Sequence, residues 1–331
     1  MSGLPSVMVA IPVFNEADSI DRVLGAVRTH CPRILVIDDG STDETPAKLA
    51  AHPVDVVRHG TNRGYGRAMQ DIFHVASADR VDWVITMDCD EQHEPASIPD
   101  FMQAIRAGTA DVVSGSRYLR ATARDDDAPR DRRAINRTLT AEINATLGDV
   151  PARAGIAPSL GPGITDAFCG FKAYRTAALR SLSLDVDGYD FPMQFWVQAV
   201  AHGLRVEEIP VPRIYVDLDR SFGEELDDPA RRINLYRGTF TRELSRCAGL
   251  LAARRPRSWC AARGRSRPPA ANCLASPRRA GAPRCERNWA FPRVWWSAPG
   301  TSPSGGTRAS RRSSCGQPNA RRATARPSRG S

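Results

Sequence analysis

The chain has 331 residues and a formal net charge of +9, from 46 Lys and Arg against 37 Asp and Glu. The positive charge is concentrated in residues 248–331, which contain 18 Arg and one acidic residue, so residues 1–247 carry a net charge of −8. Because residues 1–247 are acidic and have no basic stripe with interleaved aromatic residues, their composition excludes a nucleic-acid-binding domain.

Short apolar runs alternate with helix-like stretches over the first 120 residues. The runs predict strands at 7–13, 34–37, 54–57, 81–87 and 111–114, and the stretches predict helices at 18–29, 64–78 and 96–107. Apolar strands separated by helices of this length predict an α/β fold in which a parallel sheet is covered on both faces. Ligands of such sheets bind beyond the carboxyl ends of the strands.

The pattern is weaker after residue 118. A charged loop at 119–133 precedes a predicted helix at 132–147, and a Pro/Gly-rich loop at 155–163 precedes an ordered stretch at 164–182. A helix at 191–202 and strands at 205–210 and 213–216 follow. Residues 248–331 are rich in Arg, Pro and Ser without any period, so we expect a folded domain at 1–247 and a disordered or frame-altered tail, with binding to an anionic membrane as the alternative.

The sequence also indicates a location. No apolar run approaches the roughly 18 to 20 residues that a membrane-spanning helix needs, and residues 1–12 lack the basic and apolar regions of a secretion signal. The eight Cys form no CxxC pair, which disfavours a zinc ribbon and indicates reduced thiols. We therefore expect a cytoplasmic protein, and the Arg-rich residues beyond 247 are the part that would contact the inner face of the cell membrane.

Polar residues follow four of the predicted strands, at positions that a parallel sheet would bring to one edge. They are Asn15 and Glu16, Asp38 and Asp39, Asn62 to Gly64, and Asp88, Asp90 and Gln92. Carboxylates crowded at one edge repel one another unless a cation lies among them. Oxygen donors at alternate positions suit Mg²⁺ or Mn²⁺ bridging a diphosphate, whereas a solvated turn is the alternative for a single Asp-x-Asp.

The second of these strand ends admits two interpretations. Asp38 and Asp39 can accept hydrogen bonds from the ring and ribose groups of a nucleoside, and Gly64 allows the backbone to pass close to phosphate. The same segment, 38–43, is also typical of an Asx turn that caps a helix beginning at Thr45. A dinucleotide-binding loop at 64–66 is rejected, because Met69 occupies the third glycine position.

The motifs together resemble a known family. They read IPVFNE at 11–16, DDGSTD at 38–43, NRG at 62–64, DCDEQHEP at 88–95, SGSRY at 114–118 and DAFCGFKAYR at 166–175. In this order they are similar to family 2 of the nucleotide-sugar glycosyltransferases, and most similar to its polyprenyl (dolichyl) phosphate mannosyl- and glucosyltransferase branch. The resemblance covers about residues 5–240. It implies a GT-A fold, which is a Rossmann-like three-layer arrangement.

The resemblance also implies a role for each matching position. Nucleotide-sugar binding falls to Pro12, Asn15, Glu16, Asp38, Asp39, Gly64 and Asp88, metal binding to Asp88, Asp90 and Gln92, and acceptor-phosphate binding to Arg117, Arg132 and Asn136. The catalytic positions are Asp90, Asp166 and Arg117. Two departures stand out: Asn136 replaces a frequent Ser of the branch, and RSFGEE at 220–225 replaces its basic segment.

The implied activity is inverting transfer of a hexose from GDP-mannose or UDP-glucose, with Mg²⁺ or Mn²⁺. A polyprenyl phosphate is already an anion and can attack directly, held by Arg117 and Arg132, whereas a sugar hydroxyl needs Asp166 as a base. Orientation of the adjacent loop is the structural alternative for Asp166. A catalytically silent sugar-nucleotide binder is the other functional alternative.

Two further features have both a structural and a functional interpretation. His93 lies in a charged turn, where a solvated or supporting role is favoured over contact with phosphate. Phe191, Phe195 and Trp196 are expected to form a core face, with lipid contact as the alternative.

Overall fold

A computed structural model of the chain describes residues 4–120, 128–153, 157–215 and 224–255. Parts of both predicted loops, at 121–127 and 154–156, lie outside these residues. So do residue 216 of the last predicted strand, most of the RSFGEE segment and the predicted tail beyond residue 255.

The sheet has seven strands, in the order β3-β2-β1-β4-β6-β5-β7. The strands are β1 (Val7–Val13), β2 (Ile34–Asp38), β3 (Asp55–Arg58), β4 (Trp83–Thr86), β5 (Val112–Ser116), β6 (Lys172–Arg175) and β7 (Val206–Pro210). Among these, β6 alone runs antiparallel to its neighbours. The predicted α/β fold with a mostly parallel sheet is therefore confirmed.

The strand predicted at 213–216 is wrong for its described residues, because residues 213–215 have no regular structure. β7 pairs with β5 as far as Pro210, after which Pro212 follows two residues later. Proline has no N–H to donate to a strand ladder, so the chain leaves the sheet at this point.

Ten α-helices lie among the described residues. They are α1 (Ile20–Arg28), α2 (Thr45–Leu49), α3 (Tyr65–Ala78), α4 (Ile98–Ala107), α5 (Arg130–Leu147), α6 (Thr176–Leu179), α7 (Phe191–Ala201), α8 (Glu224–Asp227), α9 (Pro229–Arg246) and α10 (Ala248–Arg254). The helices predicted at 18–29, 64–78, 96–107, 132–147 and 191–202 correspond to α1, α3, α4, α5 and α7. No helix among the described residues is long and apolar enough to span a membrane.

The sequence analysis did not predict α9, although its signals are present. The Asp228 carboxylate accepts hydrogen bonds from the N–H groups of Ala230 and Arg231, and Pro229 occupies the first helical position. Apolar residues then recur with helical spacing at 233, 236, 240 and 244. The chain is still helical after residue 247, where α10 follows α9. Leu251 of α10 is buried in the core beside α7 and α9.

The two faces of the sheet carry separate apolar cores. Met8 and Ala10 of β1 face the core formed with α3, α5, α7 and α9, whereas Val9 and Ile11 face the core formed with α1 and α4. This division follows from the alternation of side chains along a strand. Helix α7 is buried along most of its length, which confirms that Phe191, Phe195 and Trp196 belong to the core.

The antiparallel direction of β6 decides which residues meet at the functional edge. The parallel strands β1, β2, β4 and β5 have their carboxyl ends at this edge, and β6 begins there. Gly170 and Lys172 are thereby placed beside the residues that follow β4.

Candidate active site

A cavity of about 990 Å³ lies at the carboxyl edge of the sheet. Eleven of the predicted site residues line it: Pro12, Asn15, Glu16, Asp39, Gly64, Asp88, Asp90, Gln92, Arg117, Arg132 and Asn136. Asp38 and Asp166 are not among the lining residues and are fully buried. The structure therefore brings most of the predicted residues together around one space.

Asp39 lies at one end of this cavity and is held by the loop that precedes α3. Its two carboxylate oxygens accept hydrogen bonds from the N–H groups of Arg63 and Gly64, both at 2.8 Å. Gly64 has φ +99°, and a side chain at this position would collide with the carbonyl of Asp187. A glycine is therefore required for the loop to reach Asp39.

Asp38 shapes the neighbouring turn instead of facing the cavity. One of its oxygens accepts the Ser41 N–H at 2.8 Å, and the other lies 3.0 Å from Nε of Arg58. Asn15 supports the same turn from β1, because its side-chain oxygen accepts the Thr42 N–H at 2.8 Å. The Asx turn expected in this segment is made by Asp43, whose Oδ1 accepts the Thr45 N–H at 2.9 Å at the start of α2, whereas Asp38 binds the backbone three residues on.

Asp88 is positioned by contacts on two sides. Its N–H donates to Nδ1 of His93 at 2.9 Å, and a Cβ placed on Gly170 would lie 2.6 Å from its Oδ2. The His93 ring is buried, 5% exposed, and packs against Phe171 with ring centres 5.3 Å apart. Of the two roles expected for His93 the structure has the supporting one: the turn folds inward, and the buried imidazole holds the Asp88 backbone.

The rest of the Asp88–Gln92 turn is also fixed. The Gln92 N–H donates to Oδ1 of Asp90 at 3.1 Å. Glu91 adopts a positive φ of 60° and is bound by both ends of the Arg22 guanidinium, at 2.8 Å each. This pair connects the turn to α1, so the turn keeps its shape while Asp90 and Gln92 line the cavity.

The Asp88–Gln92 turn offers oxygen donors of the kind that a divalent ion binds. Among the described residues, no three side chains of His, Cys, Asp or Glu come together as a metal-binding group. Asp88, Asp90 and Gln92 supply two carboxylates and one amide in the same cavity. Mg²⁺ commonly binds through one or two carboxylates and completes its coordination with substrate phosphates and water, so this set has suitable chemistry.

Arg117 and Asp166 form a buried ion pair at the other end of the cavity. Nε and Nη2 of Arg117 donate to the two carboxylate oxygens at 2.7 and 3.0 Å. Burial alone would raise the pKa of Asp166, but the positive charge and hydrogen bonds of Arg117 lower this pKa to about 2. The guanidinium lines the cavity while the carboxylate lies behind it.

Asp166 binds further donors as well. Oδ1 accepts hydrogen bonds from the Asn136 side chain at 2.8 Å and from the N–H groups of Phe168 and Cys169. A carboxylate that is fully buried, hydrogen-bonded on both oxygens and of low pKa is a poor proton acceptor. These contacts favour the structural alternative for Asp166, in which it orients Arg117 and Asn136, over the role of a base.

Apolar and aromatic side chains line the cavity next to Arg117. Phe168 packs against Tyr236 of α9 with ring centres 4.9 Å apart, and Ile135 of α5 lies in the same wall. On the Asp39 side of the cavity, Tyr65, which follows Gly64, stacks on Tyr189 with ring centres 6.0 Å apart and an angle of 13°. The cavity thus has an acidic end at the sheet edge and a basic, apolar end between α5, α7 and α9.

A family model described as "Glycosyl transferase family 2" matches residues 8–183. The matched region includes every motif on which the resemblance was based. The chain belongs to glycosyltransferase family 2.

Curated relatives of this glycosyltransferase include two proteins named for transfer to polyprenyl phosphates. The undecaprenyl-phosphate mannosyltransferase of Micrococcus luteus is 29% identical over 225 residues, which span 65% of this chain and 86% of that protein. The polyprenol monophosphomannose synthase of Mycolicibacterium smegmatis is 32% identical over 216 residues, or 62% of this chain and 76% of that protein. The resemblance to this branch is confirmed.

A solved structure shares the fold of this glycosyltransferase. The glucosyl-3-phosphoglycerate synthase of M. tuberculosis superposes with a TM-score of 0.53 at 19% identity, over 74% of this chain and 81% of that chain. This likeness confirms the predicted GT-A fold.

The sequence analysis missed two basic residues of the glycosyltransferase cavity. Lys172, 4% exposed, donates its Nζ to the carbonyl of Cys169, and burial lowers its pKa. Arg232 of α9, 3% exposed, donates to the carbonyl of Leu226 at 3.0 Å and binds Asp131 of α5. Lys172 could have been noticed as the basic residue of the DAFCGFKAYR motif that begins β6, and Arg232 only after α9 had been recognised.

Proposed function

We propose that this chain is an inverting, metal-dependent hexosyltransferase that transfers a hexose from GDP-mannose or UDP-glucose to a polyprenyl phosphate. The observation that carries the proposal is the single cavity, which joins an acidic end beside Asp39 to a basic, apolar end beside Arg117. A donor with a diphosphate and an acceptor with a phosphate and a hydrocarbon chain match these two ends. The names of the curated relatives support the same pair of substrates.

The donor would bind at the acidic end. Asp39 would accept hydrogen bonds from the base or ribose, and Asp88, Asp90 and Gln92 would hold Mg²⁺ or Mn²⁺. Bound there, a divalent ion would neutralise the charge of the departing diphosphate. Glu91 and His93 would keep the donor set in place through Arg22 and the Asp88 backbone.

The acceptor phosphate would bind at the basic end, where Arg117, Arg132 and Arg232 line the cavity. A phosphate monoester is anionic at neutral pH, so its oxygen can attack the anomeric carbon without a protein base. The bond from that carbon to the diphosphate breaks, and the nucleoside diphosphate leaves with the electron pair. Attack opposite the leaving group inverts the configuration of the sugar.

Two different observations weigh against the two alternative functions. Transfer to a sugar hydroxyl requires a base, and Asp166 is occupied by Arg117 and Asn136. A catalytically silent binder would not need both Asp88 and Asp90 at the cavity surface. We therefore favour the phosphate acceptor.

A polyprenyl acceptor implies a peripheral contact with the inner face of the cell membrane. Exposed arginines on the helices that enclose the basic end support this proposal: Arg133 and Arg137 on α5, and Arg231 and Arg242 on α9. Basic residues of this kind are attracted to anionic lipid headgroups.

The proposal is tested by incubating the full chain with Mg²⁺, polyprenyl phosphate and radiolabelled GDP-mannose or UDP-glucose. We expect one donor to label the organic phase, and chelation of the metal to abolish the labelling. Absence of lipid labelling with both donors, from a folded protein, would contradict the proposed donors and acceptor.

A further inference from the structure

A buried histidine lies behind the Asp39 end of the cavity. His59, which follows β3, is 8% exposed, and both of its ring nitrogens contact carboxylates. Nδ1 lies 2.5 Å from Oδ1 of Asp39, and Nε2 lies 2.9 Å from Oδ2 of Asp71 on α3. The imidazole therefore connects Asp39 to a second buried acid on another element.

The groups around this histidine alternate in charge. Asp71 is bound on its other side by Nε and Nη2 of Arg67, at 3.0 and 3.1 Å, and His74 lies 3.8 Å from its Oδ1. Among the described residues, His59 is the one side-chain cation that contacts Asp39; the other donors to this carboxylate are the N–H groups of Arg63 and Gly64. Without His59, two buried carboxylates would face each other with less compensation.

We propose that His59, held by Asp71, is a positioning residue that fixes the Asp39 carboxylate for the nucleotide of the donor; this inference rests on the function proposed above. His59 is not among the residues that line the cavity, so it acts through Asp39 and makes no contact with the nucleotide. The same contacts fix the 63–64 loop, because its N–H groups share the Asp39 oxygens with His59.

The protonated imidazole is the form that fits this geometry. Only an imidazolium can donate from both nitrogens, and both face carboxylate oxygens. The hydrogen bonds with Asp39 and Asp71 raise the pKa of His59 to about 9. Above that pH one of the two hydrogen bonds is lost, and we expect Asp39 to be held less firmly.

The role of His59 predicts a specific kinetic pattern. A residue that fixes Asp39 affects the KM for the donor, whereas the KM for the acceptor depends on the Arg117 end of the cavity. The kcat stays close to that of wild type, because His59 touches neither the reacting atoms nor the Asp88–Gln92 turn in the structure.

The test compares full-length wild type with His59→Leu, His59→Asn and Asp71→Asn. A matched control is His52→Asn, since His52 also contacts an aspartate, Asp21, at 2.7 Å, but lies outside the cavity lining. The measurements are the Kd for GDP and UDP with Mg²⁺ by calorimetry, the KM for donor and acceptor, and kcat, each from pH 6.5 to 10.

We expect His59→Leu to raise the nucleotide Kd and the donor KM about tenfold or more, as the loss of a charge-assisted hydrogen bond implies. The amide of His59→Asn can still donate toward Asp39, so its increase is smaller. The decline in nucleotide affinity that we expect for wild type above about pH 9 is also smaller in this variant. Asp71→Asn lowers the pH at which that decline occurs. His52→Asn leaves all of these quantities unchanged.

Unchanged nucleotide affinity in His59→Leu, or in His59→Asn across the pH range should the Leu variant not fold, would overturn the inference. Wild type that binds GDP or UDP but transfers no hexose would overturn the proposed transfer reaction and leave the inference about His59 standing. Wild type that binds neither nucleotide would overturn both.

Discussion

The two ends of the cavity are built from the same kinds of residues in opposite orientations. At the acidic end, where we propose that the donor binds, the Asp39 carboxylate lines the cavity and the His59 cation lies behind it. At the basic end, where we propose that the acceptor binds, the Arg117 guanidinium lines the cavity and the Asp166 carboxylate lies behind it. The inner partner in each pair holds the outer one, and we propose that the outer one sets the charge of the ligand that binds at that end.

The largest effect is expected at the turn between the two ends. Asp90→Ala removes one of the oxygen donors proposed to hold the metal, and we expect the rate of transfer to fall about 10²- to 10³-fold at saturating substrates. The loss follows because the charge of the departing diphosphate is less well neutralised. Initial rates with Mg²⁺ in excess check the prediction, and near-normal transfer by the variant would show that Asp90 has another role.

Asp166→Asn separates the positioning role from that of a base. Loss of the carboxylate leaves the buried Arg117 without its bidentate partner. We expect kcat/KM for polyprenyl phosphate to fall about 10²-fold through misplacement of the guanidinium, with a raised acceptor KM. The nucleotide Kd should not change.

Arg117→Lys serves as the companion to that variant, because it keeps the charge but loses the bidentate geometry. Its acceptor KM should also rise. A pure loss of kcat in Asp166→Asn, with both KM values intact, is the pattern of a missing base and would show that Asp166 acts as the base.

Gly170→Ala tests the packing behind Asp88. The added methyl group would lie 2.6 Å from Oδ2 of Asp88, so the carboxylate must move. We expect the Mg²⁺ concentration for half-maximal transfer to rise about tenfold, as changes in the residues that support a metal ligand usually cause. Gly25→Ala is the control, because an added methyl there meets no atom of the described residues within 4 Å. An equal response of the two variants would mean that Gly170 has no special relation to Asp88.

The smallest effect concerns stability, and it has opposite pH dependence at the two ends. The pKa of His59 is raised from 6.5 to about 9, so its contribution to stability is full below pH 6.5 and is lost as the pH rises through about 9. The pKa of Asp166 is lowered from 3.8 to about 2, so its contribution is full above pH 3.8 and is lost as the pH falls through about 2.

Urea unfolding of wild type and His59→Asn between pH 6 and 10 checks the alkaline side. The shift corresponds to a difference on the order of 3 kcal/mol in the free energy of unfolding, which should shrink toward pH 10. A difference that stays constant over this range would indicate that His59 is neutral in the folded protein.

Much of the donor end could be predicted from sequence, because its residues follow parallel strands. Strands β1, β2 and β4 end one or two residues before Asn15, Asp39 and Asp88, and strand polarity brings such ends to one edge. Successive side chains on a strand point in opposite directions, but the sequence does not show which of Asp38 and Asp39 faces the cavity until the path of the following turn is known.

The acceptor end depends on long-range contacts that no local pattern contains. Asp166 reaches Arg117 across 49 residues of sequence, and Arg232 reaches Asp131 across 101. Lys172 arrives through β6, whose reversed direction is decided by pairing with β4 and β5. For the same reason the link between His59 and Asp71 became visible only when α3 was packed on the sheet.

We propose that an anionic phosphate bound at the Arg117 end accepts the hexose without a protein base. The most direct measurement compares polyprenyl phosphate with the corresponding free polyprenol as acceptors for wild type, with the preferred labelled donor and Mg²⁺. We expect labelled product from polyprenyl phosphate and none from the free polyprenol. Equal or greater transfer to the free alcohol would contradict it, because a hydroxyl acceptor requires the base that Asp166, bound to Arg117, does not supply.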